Sequence, residues 1–361
     1  MRILSISLDR SSLDPNSAAA KRQALAYAGH EASILVVAPG TQKEFDLAPG
    51  IRVRTFGGAS KFGAFMQAWS HVRMAERPDV VTAQEPIYTG YLAARLAKRF
   101  GCGLHVQDHS GMFAHGPANL LERVLRLYAK SLLRRADRVR TVSQRGKKGL
   151  MSIGLREIKI DVIPIATDIS LFSQVNRSLA LTDELLTVTR LEPEKGVDIL
   201  LHAFVEVQKA RPQTSLVIVG DGSLRKAYER MARRLGIGAA VLFVGKENDV
   251  KPFLARAGLY VQPSRFEGWG LAVIEAAAAG MPIVMSDVGC AGEVIKDGES
   301  GLVVPPGNPK AVASALLKLL SDASLANTLG AAAKQAVAHL PDAEATATLI
   351  RASLEAAARK G

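Results

Sequence analysis

The sequence predicts an α/β protein made of two Rossmann-like, doubly wound domains facing each other across a cleft. Three observations predict it. Short apolar runs alternate with longer segments of helical period, the pattern of a parallel sheet covered on both faces. That alternation runs through the first half of the chain and starts again in the second. The length, 361 residues, suits two or three domains of ~100–200 residues each.

In the first half, strands are expected at Ile3 to Leu8, Glu31 to Val37, Val80 to Ala83, Leu104 to Gln107, Arg138 to Val142 and Lys159 to Ile163. Helical patterns fall between them at Ala18 to Tyr27, Gly90 to Arg99 and Leu120 to Arg135. In the second half, buried strands are expected at Leu185 to Thr189, Ser215 to Val219, Val241 to Val244, Leu259 to Gln262 and Pro282 to Met285. Their helices are Val197 to Lys209, Ser223 to Leu235, Val250 to Ala255 and Ala272 to Ala279. The boundary falls in the polar, Pro-containing stretch Pro164 to Ser178, which gives domains over 1–170 and 171–340. The tail, 341–361, is Ala-rich and helix-forming from Asp342 to Lys360. Ligands of open parallel sheets sit beyond the carboxyl ends of the strands, so the residues just after each strand matter most.

Composition narrows the function. A hydrophobic fraction of 48% and a charged fraction of 22% describe a folded chain with sizeable cores. Two cysteines, Cys102 and Cys290, lack metal-type spacing and argue against a disulfide framework. The apolar start is too short for a signal-peptide core, and no apolar run is long enough to span a membrane. The expected location is cytoplasmic, with any membrane association peripheral. The net charge of +12 is lopsided. Residues 1–170 carry 25 Lys/Arg against 14 Asp/Glu, while residues 171–361 carry 21 against 20. The first half is therefore expected to meet something anionic.

The strongest motif runs from Ser264 to Glu275, between the end of one strand and the start of a helix. Gly268 and Gly270 let the backbone approach a ligand, and Trp269 lies between them. The N–H groups at the start of the helix, from Leu271 on, suit a phosphate. Glu267 and Glu275 are spaced to face one ligand; two solvated glutamates on an ordinary loop are the alternative. A second motif, Thr189 to Gly196, places Arg190 after a strand and Lys195 at the start of the next helix. A cation there is unfavourable by about a few tenths of a kcal/mol, which an incoming diphosphate reverses. The alternative for Arg190 is a surface salt bridge with Glu192 or Glu194. The third motif, Val219-Gly220-Asp221-Gly222-Ser223, lacks the third glycine of a dinucleotide fingerprint and reads as a tight turn.

Together these residues resemble the retaining family 4 (group 1) glycosyltransferases of the GT-B fold. The resemblance rests on Arg190 with Lys195-Gly196, on Gly220-Asp221-Gly222, and on the Glu267 to Glu275 pair. Ser286-Asp287-Val288-Gly289, Glu293-Val294-Ile295, Gly298, Gly301-Leu302-Val303 and Pro305 extend it. The first half is similar through Ala136-Asp137, Ser143, Ile163-Pro164, Asp168 and Phe172. The resemblance implies transfer of a sugar from a nucleotide-diphosphate sugar to an acceptor with retention; no cofactor is expected, and no metal, since no metal cluster is visible in the sequence and two cations already fill the diphosphate role. It implies that Arg190 and Lys195 neutralise the diphosphate, Glu275 bonds the ribose, and Glu267 contacts the sugar near Gly268, Trp269, Gly270 and Leu271. It implies a further role for His109 near the sugar and for Gly220 beside the donor, and a tail helix that returns to the first domain. His105, four residues before His109, falls inside a strand and reads as packed. The family often has a Gly-Gly loop after the first strand; here Asn16 and Ser17 stand in a loop without glycine, as candidate acceptor contacts.

Between Arg123 and Lys148 there are ten Lys/Arg and one acid, Asp137. On a helix, Arg123, Arg126, Lys130 and Arg134 form a stripe, with Leu121, Leu125, Tyr128 and Leu132 turned to the core. The default reading is a solvated face; the family's lipid-linked acceptors suggest an anionic membrane. Two other classes remain. A nucleic-acid-binding protein fits the basic charge but not the 5% aromatic content or the motifs. An inactive sugar-nucleotide-binding protein fits the fold but not the intact Arg190, Lys195, Glu267 and Glu275.

Overall fold

The computed structural model describes residues 1–38, 40, 42–56, 63, 66–68, 70, 76–114, 116, 120–177 and 181–358. Ser178, which ends the expected linker, and Lys360, which ends the expected tail helix, lie outside the described residues. The chain divides into two compact units, Met1–Ala166 with Pro341–Gly361, and Thr167–Leu340.

The strands of the first unit are β1 (Arg2–Ser7), β2 (Glu31–Val36), β3 (Glu44–Ala48), β4 (Ile51–Thr55), β5 (Val80–Ala83), β6 (Gly103–Asp108), β7 (Arg138–Thr141) and β8 (Ile160–Val162). Among the described residues they form one sheet in the order β3-β4-β2-β1-β5-β6-β7-β8. Only β3 on β4 is antiparallel. The central strands are buried along their length, as a sheet covered on both faces requires. β3 and β4 escape the sequence reading because their charges alternate with apolar residues at a sheet edge, so neither forms an apolar run.

The tail helix, Ala343–Ala357, packs onto this sheet within the first unit. Arg351 donates to the Leu25 carbonyl at 2.6 Å, and the Ser353 hydroxyl donates to Asp161 at 2.7 Å. A Cβ on Gly103 would sit 1.9 Å from the Ala357 carbonyl oxygen, so the end of this helix needs glycine on β6. His105 is fully buried, its ring bonded to Thr82 at 2.8 Å and to Ser353 at 3.1 Å. It is a packed strand residue.

The helix Leu120–Arg135 corrects the expected stripe. Arg123 and Arg134 are exposed, and Lys130 is half-buried. Arg126 is buried, its Nε donating to Glu122 at 3.0 Å and its Nη2 to the Gly116 carbonyl at 3.1 Å. Leu121 and Tyr128, expected in the core, are exposed. The helix is rotated so that Ala129, Leu132 and Leu133 bury with Arg126. A long side chain with a carboxylate partner one turn away can be buried there, which a polarity pattern does not reveal.

The second unit contains β9 (Glu184–Val188), β10 (Ser215–Val219), β11 (Val241–Gly245), β12 (Leu259–Gln262), β13 (Ile283–Ser286) and β14 (Leu302–Val304). They are parallel, in the order β11-β10-β9-β12-β13-β14. Two wings therefore start from β9, and the order reverses between β9 and β12. The core packs Leu185, Leu216, Val261 and Val284 against Phe204 of the helix Val197–Ala210 and Leu316 of the helix Pro309–Ser321. The latter helix, Ala323–Ala338 and the three-residue β14 are further elements beyond those expected.

Candidate functional site

The point where strand order reverses is where an open sheet leaves a crevice, since adjacent connections depart to opposite faces. In the second unit this is the β9/β12 junction. The loop after β9 carries Arg190 and Lys195, and the loop after β12 carries Glu267. The fold brings Lys195 and Glu267 together. The ammonium donates to both carboxylate oxygens at 2.8 Å, and the two side chains are 15% and 11% exposed.

Lys195 closes a 3-10 turn, Pro193–Lys195, and the helix begins only at Val197, after Gly196. The turn is pinned from two sides. Arg265 clamps Asp198 through bonds of 2.8 and 2.6 Å and donates to the Pro193 carbonyl at 2.9 Å. Glu192 accepts from the Ser223 N–H at 2.9 Å and from its hydroxyl at 2.6 Å. Gly220 has φ +136°, and a Cβ there would lie 1.8 Å from the Thr189 carbonyl oxygen. Its absent side chain lets the end of β10 close against the end of β9.

Glu267 is oriented by residues beyond the candidate acids and cations. Ser264 donates to its Oε1 at 2.9 Å and Gln262 at 3.3 Å. The Gln262 carbonyl in turn accepts from Tyr260 at 2.8 Å. Burial, with Glu275 and Glu267 adding, pushes the Tyr260 phenol well above its usual range, so it remains a donor. The sequence signal for this relay is a pair of polar groups at alternate positions of a buried strand, Tyr260 and Gln262.

Arg190 stands apart from that pair. Its side chain is 69% exposed and donates to Glu194 at 2.9 Å, the surface bridge weighed as an alternative. Trp269 is buried, and its indole Nε1 finds no hydrogen-bond partner among the described residues. Its side chain therefore belongs to the interior. Gly270, at φ +98°, caps the helix Leu271–Ala278 without a side-chain bond. Gly268 and Leu271 are half-buried. Glu275, in the second turn of that helix, lines a cavity of about 490 Å³ with Phe172, Asn248 and Lys251. That volume falls in the range of small-molecule sites, roughly 300–1,000 Å³.

In the first unit, His109 follows β6. Asp108 holds its loop by accepting from the Ser110 hydroxyl at 2.8 Å and the Gly111 N–H at 3.0 Å. The ring bonds Gln107 Oε1 at 2.9 Å. Burial, then the charges of Arg140 and Arg22, bring His109 down to about 3, so it is neutral at physiological pH. Asn16 and Ser17 are engaged in their own turn. The Asn16 N–H donates to Asp14 Oδ1 at 3.0 Å and the Ser17 N–H to the Asp14 carbonyl at 3.0 Å. The Ser17 hydroxyl caps the helix Ala18–Tyr27 by accepting from Ala20 at 3.0 Å. The loop lacks glycine because its polar side chains close it, and those amides are not left for a ligand. Among the described residues no three His, Cys, Asp or Glu converge to hold a metal ion, and no helix is long and apolar enough to cross a membrane.

Two family models match the chain. "Glycosyl transferases group 1" matches residues 173–336, and "Glycosyltransferase Family 4" matches residues 17–171. A glycogen synthase of Mycobacterium tuberculosis is 29% identical over 94% of this chain and 89% of its own length. A GDP-mannose-dependent alpha-(1-6)-phosphatidylinositol monomannoside mannosyltransferase of Mycolicibacterium smegmatis is 33% identical over 41% of each chain. Anabaena HepE, solved with UDP and glucose, superposes with a TM-score of 0.79 at 22% identity, over 98% of this chain and 99% of its own. These likenesses agree with the two Rossmann-like units described above and with the GT-B fold class.

Proposed function

The chain belongs to the group 1 glycosyltransferases, a family of enzymes acting on nucleotide sugars, and we propose that it transfers the sugar of a nucleotide-diphosphate sugar with retention, using Lys195, Glu267 and Arg190. The observation that carries this reading is the Lys195–Glu267 pair at the β9/β12 reversal. A carboxylate pre-aligned by three donors is fixed toward a ligand rather than spread into solvent.

The departing diphosphate is the difficult part of the reaction. Charge grows on its bridging oxygen while the sugar becomes oxocarbenium-like. A fixed cation that meets this charge favours the transition state over the ground state. In the proposed reaction Lys195 sits at the diphosphate while still anchoring Glu267. Glu267 then orients the sugar hydroxyls, and Glu275 takes the ribose from its cavity. Arg190 exchanges Glu194 for the diphosphate on binding, which its exposure permits at little cost. In this reading neither acid acts as a nucleophile, and the acceptor hydroxyl attacks from the face of the leaving phosphate, which takes its proton. With Arg190 and Lys195 neutralising the diphosphate, the reaction runs without a divalent metal. His109, being neutral, serves as a hydrogen-bonding group for the sugar and not as an acid.

A second feature supports work at a membrane. Leu120, Leu121, Val124 and Leu127 are 56–74% exposed on one face of the helix Leu120–Arg135, where Tyr128 is exposed too. Arg123 and Arg134 are exposed along one edge of that face. An apolar face with cations along one edge suits the surface of an acidic bilayer.

The test is thermal stability with UDP, GDP, ADP and CMP, in wild type and Arg190→Ala. At 100 times its dissociation constant a ligand stabilises by ~2.7 kcal/mol. One nucleotide should shift wild type and shift the variant far less. No shift with any of them overturns the donor reading.

A further inference from the structure

The first sheet also reverses its order, between β1 and β5. A cavity of about 120 Å³ opens there, lined by Asp9 after β1, Gln84 after β5, Gln107 and His109 at the end of β6, and Arg140 on β7. Arg140 is 5% exposed. Its Nη1 donates to Gln107 Oε1 at 2.9 Å, its Nε to the Ile163 carbonyl at 3.2 Å and its Nη2 to the Pro164 carbonyl at 3.1 Å. All three acceptors are neutral. Three of its five N–H bonds are accounted for, and among the described residues no carboxylate bonds it.

A guanidinium removed from water without a counter-charge is costly, by several kcal/mol. Burial lowers Arg140 to about 10, with Arg22 contributing, so it still carries its charge at neutral pH. Arg22, from the helix Ala18–Tyr27, lines the same cavity. Gln23, beside it, has a buried Oε1 with no hydrogen-bond partner. Among the described lining residues the one acid, Asp9, is exposed, and its Oδ1 accepts from the Ser11 N–H at 2.9 Å and hydroxyl at 2.6 Å. The remaining wall includes Ala26, Ala347 and Ile350, an apolar lining that strengthens any charge interaction inside.

We infer that this cavity binds an oxyanion, a phosphate or carboxylate carried by the acceptor, and that Arg140 and Arg22 select anionic acceptors. The inference rests on the glycosyltransferase reading for what the anion is attached to. Water alone would fill the space, about four molecules at ~30 Å³ each, but would leave the buried charge uncompensated. An oxyanion neutralises it and takes the two remaining Arg140 N–H bonds.

The full chain, wild type and Arg22→Gln, is titrated calorimetrically with glucose 6-phosphate, glucuronate, inorganic phosphate and glucose. Binding of a sugar phosphate or of glucuronate, but not of glucose, is expected, and which of the two binds identifies the oxyanion. Arg22→Gln should weaken it about tenfold or more, as loss of a charge-assisted bond does, while leaving nucleotide affinity unchanged. Arg140→Gln should do the same where it remains folded; Arg22→Gln decides the matter where it does not. Absence of binding by all three anions overturns the inference, and so does equal binding by wild type and Arg22→Gln. A loss of nucleotide affinity as large as the loss for the sugar phosphate overturns it too, because the site would then serve the donor. Failure of wild type to bind any nucleotide sinks the donor reading instead, and the phosphate titration still reports on the cavity.

Discussion

The ammonium of Lys195 lies 2.8 Å from both carboxylate oxygens of Glu267, joining the loop after β9 to the loop after β12. One ion pair thus spans the reversal of the second sheet. The pair is mostly buried, and Glu267 keeps Ser264 and Gln262 as donors when the lysine is removed. Lys195→Met should therefore lower both stability, by about 1–3 kcal/mol, and turnover, by ~10²–10³. Arg190→Ala should lower turnover comparably with stability unchanged to within about 0.5 kcal/mol, because its side chain is 69% exposed. Steady-state rates beside melting curves separate the two. A variant of either residue retaining more than about a tenth of wild-type turnover contradicts the diphosphate role.

The same two cations carry the expectation about metals. Turnover should survive removal of divalent ions by a chelator, and the anomeric configuration of the product, read by NMR, should match that of the donor. Complete loss on chelation would sink the first expectation, and an inverted product the second.

The candidate residues were legible because they sit in contiguous motifs, and of them the structure joins Lys195 to Glu267, while Arg190 pairs with Glu194 and Glu275 lines a cavity of its own. Arg190, Lys195, Glu267 and Glu275 follow strands that the apolar runs locate. What supports them was not legible. Tyr260 and Gln262 lie inside a strand, and their relay exists only once the side chains are placed. Arg140 reads as one more charge in a basic run, yet it is buried because Gln107 and two carbonyls of 163–164 close around it. Arg126 misled the stripe for the same reason, with Glu122 beside it. Charge tells where a side chain is expensive to bury, and only tertiary partners tell where it is buried regardless.

Gly220 tests the packing of the frame. At φ +136°, with a Cβ position 1.8 Å from the Thr189 carbonyl oxygen, alanine meets both strain and overlap with backbone. Gly220→Ala should destabilise by about 2–5 kcal/mol. Gly236 has φ +75° with nothing within 4 Å of its Cβ position, so Gly236→Ala should cost only about 1 kcal/mol. Equal effects in denaturant melts would show that the close approach to Thr189 is unimportant.

His105 and His109 make stability depend on pH. Both are brought to about 3, by burial first and then by the arginines nearby, whereas the unfolded chain holds them near 6.5. Between those values the unfolded state binds more protons, so stability is full above about pH 6.5 and falls as pH drops toward 3. Each histidine contributes up to about 1.4 kcal/mol per pH unit in that window. His109→Gln should flatten the dependence between pH 6.5 and 5 by that amount, measured by urea denaturation. An unchanged slope would mean that His109 titrates freely in the folded state.

The apolar face of the helix Leu120–Arg135 makes a prediction that charge alone does not. Lys/Arg near an acidic leaflet contribute ~1 kcal/mol each, and the exposed Arg123 and Arg134 give only reversible attraction. Leu120, Leu121, Val124 and Leu127 add apolar area that inserts at the headgroup boundary. Tyr91 and Tyr128, with ring centroids 6.0 Å apart, extend the patch, and Arg95 lies over Tyr91 at 5.1 Å. Vesicles rich in acidic lipid should sediment the protein at low salt, and moderate salt should weaken binding without abolishing it. Val124→Glu with Leu127→Glu should abolish it while the melting temperature holds, since both side chains are exposed. Binding that vanishes at moderate salt and ignores the double substitution would mean that the cations act alone.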